Sequence, residues 1–334
     1  MEPSWTKQLI EKICGELGYR VETYPQQPSM CRIHFSEDTS TLLFSSTLNV
    51  NGAASRIAAV DKSYTKFFLE QEGVSVPAGH IIFSPEWCQA YDLKETKETV
   101  MTEYNDDTLF PVMVKPNRGF QGRSVYRARS YAELSKAIDL VMENSHTVLV
   151  EECVTGQEYR LLWYKGELRA AYMKTPLRVV GDGASTIGEL LEDKRMEQVM
   201  RGRGDVITPH MSYITERLHG MGYTLDFILP IDIELLLRDN ANLSTGGDVI
   251  DYTGRVHQEY IDIAERISKV MDLPFIGIDL ITTSSIAEPI TNYWVLEVAY
   301  TPGLHHFASL GEVQYGQVKA LYTELIEDLK HERS

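Results

Sequence analysis

Basic side chains are scarce in this chain of 334 residues, with 32 Lys and Arg against 48 Asp and Glu and a formal net charge of −16. A surface that tracks nucleic-acid phosphates or an anionic membrane needs the opposite balance, so the composition argues against both partners and leaves room only for a local basic pocket. Cysteine is sparse too: Cys14, Cys31, Cys88 and Cys153 are scattered, with no C-x-x-C and no histidine at zinc spacing. They read as reduced, mostly buried thiols of a cytoplasmic protein rather than a disulfide scaffold. No apolar run approaches the ~18–20 residues of a membrane span. The opening MEPSWTKQLIEK lacks the charged-then-apolar order of a signal peptide. Internal repeats, low-complexity tracts and a GxxxxGK[ST] phosphate loop are all missing. What is present, 43% hydrophobic and 24% charged residues, is the composition of a soluble globular protein with two or three modest domains.

Trp5, Leu9, Ile10, Ile13, Cys14 and Leu17 form a helical stripe, and strands follow at residues 32–35 and 41–44. Together they predict a small α/β unit. A second helix is expected over residues 54–72, closed by Gly73 with Pro77 beyond; within it Asp61-Lys62 reads as a solvated pair. PVMVKP (111–116) is a strand with Lys115 at its end, and Gly119 and Gly122 follow. That loop is either an anion cradle, with Lys115 as a point charge, or a plain hairpin turn. Ser130 and Glu133 predict a capping box. Glu151, at the end of a strand over 147–152, and Glu158 are suited to accept from an adenine amino group and ribose hydroxyls, or are ordinary strand-end acids.

A strand runs towards Lys174 and a helix is expected over 186–193. Residues 196–232 are polar and broken, a helical insertion whose basic loop 201–204 reads as a substrate lid or a simple surface loop. After a strand over 234–238, the run DNANLSTGG (239–247) packs amides, hydroxyls and glycines into an anion or polar-substrate cradle. A packing helix (255–272) precedes two strands, 275–281 with Asp279 and 293–298 with Glu297; a terminal helix covers 314–330. Glu297, the lone acid of VLEV, needs either a cationic partner or a metal. Were these strands neighbours, two carboxylates would share one pocket. With a lysine and a glycine loop, such a pair suggests a Mg²⁺-nucleotide.

In this order, the Lys115 strand and glycine loop, VEE…TGQEYR, VVGDG, RDNANLSTGGDVID, GIDL and LEVAYTPGLHH resemble the ATP-grasp carboxylate–amine ligase superfamily. The likeness is to the ATP-grasp portions of cyanophycin synthetase and bifunctional glutathione synthetase, and covers roughly residues 61–307. The resemblance implies an ATP-grasp fold of two α+β subdomains clamping ATP (59–152 and 153–334) behind a small α/β domain (1–58), in a free-standing ligase. It implies ATP with Mg²⁺ or Mn²⁺, an acylphosphate, and amide formation between an amino acid or small peptide and an amine-bearing acceptor. It implies small-molecule substrates and a homo-oligomer.

Carried over by position, Lys62, Lys115, Gly119 and Gly122 serve the phosphates, Glu151 the adenine and Glu158 the ribose. Arg238, Asn240 and Lys174 stand beside the reacting groups, and Asp279 and Glu297 ligate magnesium. Arg160, Asn242, Ser244, Thr245, Gly246 and His305 face the substrate, with Arg178, Arg201 and Arg203 as further candidates for its carboxylates. Three positions depart from the family: Ala299 replaces the Asn of Glu-x-Asn, Ser124 a glycine, and His305-His306 a mixed Arg/Met/His stretch. The loss at Ala299 leaves open a catalytically weakened nucleotide-binding module, and a kinase-like phosphotransferase that keeps the ATP chemistry is a third reading.

Overall fold

The computed structural model describes residues 4–119, 124–238 and 240–333. They fall into two compact units, each discontinuous in sequence. The first comprises Met1–Val50, Arg169–Gly254 and Thr301–Ser334, the second Asn51–Leu168 and Arg255–Tyr300. The chain leaves and re-enters both.

In the first unit, helix Trp5–Glu16 is capped by Ser4, whose hydroxyl accepts from the Lys7 N–H. Its buried stripe of Leu9, Ile10, Ile13 and Cys14 packs against helix Glu312–His331. Between them in sequence lies an antiparallel meander, Arg20–Thr23, Met30–His34, Ser40–Phe44 and Thr47–Leu48. A further antiparallel pair, Arg178–Val180 with Glu234–Leu236, closes over helices Ile187–Met200 and Met211–Gly220. These elements enclose their own core, which includes Val179, Ile187, Ile214, Leu218 and Leu237. The first of the two helices begins at a full capping box, Thr186 with Glu189, and runs about two turns past the expected end. Finally, Tyr172–Thr175 pairs antiparallel with Asp248–Asp251.

In the second unit, the single helix expected over 54–72 is two, Ala53–Val60 and Lys62–Gln71. Asp61 takes extended backbone (φ −93°, ψ 106°), ending one helix and capping the next. A four-stranded antiparallel sheet follows in the order Gly79–Phe83, Thr147–Glu152, Val112–Pro116, Tyr126–Ala128. Alternation turns Val112, Val114, Val148 and Val150 onto Leu134, Ile138 and Val141 of helix Tyr131–Met142. Strands Gln157–Tyr164, Phe275–Thr282 and Tyr293–Ala299 form an antiparallel set. Helix Gln258–Val270 lies against it, burying Tyr260, Ile263, Ala264 and Ile267. No helix among the described residues is long and apolar enough to cross a membrane.

Candidate functional site

The pleat that buries Val112 and Val114 puts Lys115 and Glu151 together on the opposite face. Glu151 stands opposite Met113, one diagonal step from Lys115. Its side chain is 5% exposed and held from two directions: Lys115 Nζ at 2.7 Å from Oε2, and Lys66 Nζ on Oε1. Burial pushes the Glu151 carboxyl up, but the two ammonium groups outweigh it and hold the group below its usual range. Gly79, its partner on the other side, has to be glycine: a Cβ there would stand 2.2 Å from the Val150 carbonyl and 2.8 Å from Glu151 Cα.

Lys66 was not among the residues picked out from the sequence. The signal was available, since Lys62 and Lys66 are i and i+4 on one helix face. Burial drives Lys66 down to about 8 against the pull of Glu151. Lys62 is lowered as well, first by burial, with Glu297 opposing and Lys115 adding to the shift. Its Nζ donates to the Gly119 carbonyl at 2.9 Å and lies 3.9 Å from Glu297 Oε2.

Asp61 corrects the reading of a solvated pair, being 5% exposed. Its Oδ1 accepts from Ser63 Oγ (2.7 Å), Asn117 Nδ2 (2.8 Å) and the Tyr64 N–H (3.2 Å), while Oδ2 faces Arg118 Nε at 3.2 Å. Asn117 Oδ1 in turn accepts from the Ser63 N–H at 2.9 Å. The start of the glycine loop is thereby tied to the helix that carries Lys62 and Lys66. Burial raises the Asp61 carboxyl, and these donors overcome it and leave it lowered. Gly122 lies outside the described residues.

On the three-stranded set, Asp279 is opposite Arg160 on one side and Glu297 on the other. Arg160 forks onto Asp279, Nε to Oδ1 at 2.6 Å and Nη2 to Oδ2 at 2.5 Å, and Nη2 is 3.9 Å from Glu297 Oε1. Two carboxylates directly opposed across a ladder repel, and the guanidinium relieves that. Glu297 remains the open end of the row, its side chain 37% exposed against 5% for Asp279. Ala299 faces Gly277, so no side-chain oxygen stands next to the pair there. Glu158 is half-buried opposite Ile281, on the Arg160 face. Among the described residues no group of three or more His, Cys, Asp and Glu could hold a metal ion.

The first unit carries the remaining candidates. Lys174 is buried on its strand opposite Val249. Arg238 stacks over the Tyr213 ring at 4.3 Å, and Asn240 is exposed. In the loop that follows, Leu243–Thr245 makes a 3₁₀ turn ended by Gly246 at φ 97°. Thr245 Oγ1 donates to the Asn242 carbonyl at 3.0 Å, and His210 reaches the Ser244 backbone. Arg178 and Arg201 are paired with Glu234 and Glu197 at 2.9 and 2.6 Å, and Arg203 is buried in the loop's own hydrogen bonds. His305 lies with its ring 3.7 Å from that of His306; burial and then Arg203 hold it below the usual histidine value.

The family described as D-ala D-ala ligase C-terminus matches residues 69–172. Cyanophycin synthetase of Synechocystis sp. is 37% identical over 254 residues, 73% of this chain and 28% of the relative. The glutathione biosynthesis bifunctional protein GshAB of Streptococcus mutans is 30% identical over 285 residues, 80% of this chain and 36% of that protein. This chain thus spans roughly a third of the length of these relatives. The crystal structure of a bifunctional glutathione synthetase from Pasteurella multocida matches with a TM-score of 0.64 at 22% identity, covering 97% of this chain and 44% of that one. The family match over residues 69–172, together with a fold shared over nearly every residue, shows that this chain has the ATP-grasp fold.

Proposed function

We propose that the protein is an ATP- and Mg²⁺-dependent carboxylate–amine ligase, joining an amino acid or small peptide to an amine-bearing acceptor through an acylphosphate. One observation carries the reading. At Lys62 the lysine set, the glycine loop and the carboxylate row meet, since its ammonium binds the Gly119 carbonyl at 2.9 Å and lies 3.9 Å from Glu297. A carboxylate and a triphosphate repel each other, so joining them needs cations fixed in advance around the transferring group. Lys62, Lys66 and Lys115 supply three, with Glu151 neutralising only part of that charge.

The residues fit a nucleotide-borne Mg²⁺, which takes one or two carboxylates and fills its shell with phosphate oxygens and water. Asp279 and Glu297, opposed across their ladder, are two. Bound there, the ion would lower the charge on the phosphates. The substrate carboxylate oxygen attacks the γ-phosphorus and ADP leaves. The amine nitrogen then attacks the acyl carbon, phosphate departs, and the amine gives up a proton. The polar loop 240–247 suits the acyl end of the substrate.

Incubation with ATP, Mg²⁺ and an amino-acid library should yield ADP, phosphate and a condensed amide. Silence across a broad library, with ATP bound, would count against the assignment. Lys115→Ala and Glu297→Ala should each cut turnover at least ~100-fold with the fold retained, the scale of losing one electrostatic contact to the transferring group; unchanged rates in both would sink it. Added hydroxylamine should trap an acyl-hydroxamate, which phosphorylation of a hydroxyl cannot give.

Ala299 opposite Gly277 favours a second reading, a nucleotide-binding module with weakened catalysis. It predicts tight ATP binding without substrate-stimulated hydrolysis, and a gain of hydrolysis in Ala299→Asn.

A further inference from the structure

Arg203 sits in the basic segment that reads from sequence as a lid, yet it is 7% exposed and fully engaged. Its Nε donates to His306 Nδ1 at 2.9 Å and its Nη1 to Asp248 Oδ1 at 3.1 Å. Its Nη2 donates to the carbonyls of Leu243 (3.0 Å) and Gly247 (2.6 Å). Those two carbonyls flank Ser244, Thr245 and Gly246, so one guanidinium grips the polar loop on both sides of its turn. Between them the Gly246 carbonyl accepts from the buried Gln198 Nε2 at 2.8 Å. Lys194, on the helix of Gln198, binds the other oxygen of Asp248 at 2.5 Å. The loop has little freedom elsewhere: a Cβ on Gly247 would come within 2.7 Å of the Thr175 carbonyl.

His306 fixes how this grip is aimed. An arginine Nε always carries its proton, so Nδ1 of His306 has to be the acceptor and the ring proton is on Nε2. The ring therefore works as a one-sided stop, accepting from Arg203 while the planar fork faces Asp248 and the loop. A lysine at 203 could not reproduce this, because an ammonium is a point donor without a fixed plane.

We propose that Arg203 and His306 form a lock that holds loop 240–247 in its receiving shape, Arg203 as a positioning residue for the loop and His306 as the residue that orients Arg203. The lock presets the Asn242, Ser244 and Thr245 groups before the acid arrives, which lowers the ordering cost of binding it. That the loop receives the acyl end rests on the ligase reading; the lock itself does not.

Hydrogen exchange of the 240–247 amides tests it directly in the full chain. His306→Asn keeps an amide oxygen near the place of Nδ1, while His306→Leu has no acceptor. The Asn variant should exchange within twofold of the native protein, and His306→Leu and Arg203→Lys at least tenfold faster. Urea midpoints of the Leu and Lys variants should stay close to native, which separates loop release from loss of fold. In turnover, the KM for the acid should rise about tenfold in both while the KM for ATP holds within twofold. Native-like exchange in His306→Leu overturns the proposal, as does equal exchange in the Asn and Leu variants. If no acid is turned over, the ligase reading fails while the exchange data still decide the lock.

Discussion

At the scale of single residues, Glu151 is a buried carboxylate held between the ammonium groups of Lys66 and Lys115. Burial brings Lys66 down from its ordinary 10.5 to about 8 against the pull of Glu151. ADP affinity by calorimetry should therefore fall between pH 7 and 9 as Lys66 gives up its proton, and Lys66→Met should flatten that fall. For stability the sign is opposite. Between about pH 8 and 10.5 the unfolded chain holds a proton that folded Lys66 has released, so this group makes stability rise with pH. Ala299→Asn should tighten Mn²⁺ binding to the nucleotide complex several-fold, read by electron paramagnetic resonance. An unchanged affinity would mean that the Gly277–Ala299 position lies outside the ion's reach. Lys115 and Glu151 stand out in the sequence because each lies near the end of an apolar strand. The forked Arg160–Asp279 pair does not, because it depends on which strands lie side by side.

At the scale of elements, Asp61 joins two helices and a loop through one carboxylate. Asp61→Ala removes a helix cap, about 1–2 kcal/mol by itself, together with the hold on Asn117 and Arg118. The melting midpoint should drop by several degrees, and nucleotide protection of residues 117–119 in hydrogen exchange should weaken; a variant matching the native protein in both would show that the cap is dispensable. Sequence periodicity missed the break at Asp61 because apolar residues continue in helical phase across it, Ile57, Val60, Tyr64 and Phe68 all falling on the outer face. Strand Gly79–Phe83 escaped for a different reason, as consecutive Ile81, Ile82 and Phe83 break the period-2 alternation. The start of helix Tyr131–Met142 was legible from Ser130 and Glu133.

At the scale of the whole molecule, the net charge of −16 makes the Lys62, Lys66 and Lys115 cluster, drawn from two elements, a local exception. The first unit depends on residues far apart along the chain. Leu325 is fully buried on the helix that covers Trp5–Glu16. Leu325→Asp places an unpaired charge there. Amides of Trp5–Glu16 should lose exchange protection while those of Thr147–Glu152, in the other unit's sheet, keep theirs. Equal loss in both would show that the units melt as one. The same discontinuity sets a timetable for synthesis. About 250 residues separate Val50 from Thr301, roughly ten to fifty seconds at ribosomal rates. For that interval the stripe of Leu9, Ile10 and Ile13 is a nascent apolar helix waiting for its cover, and that is where a chaperone would be needed.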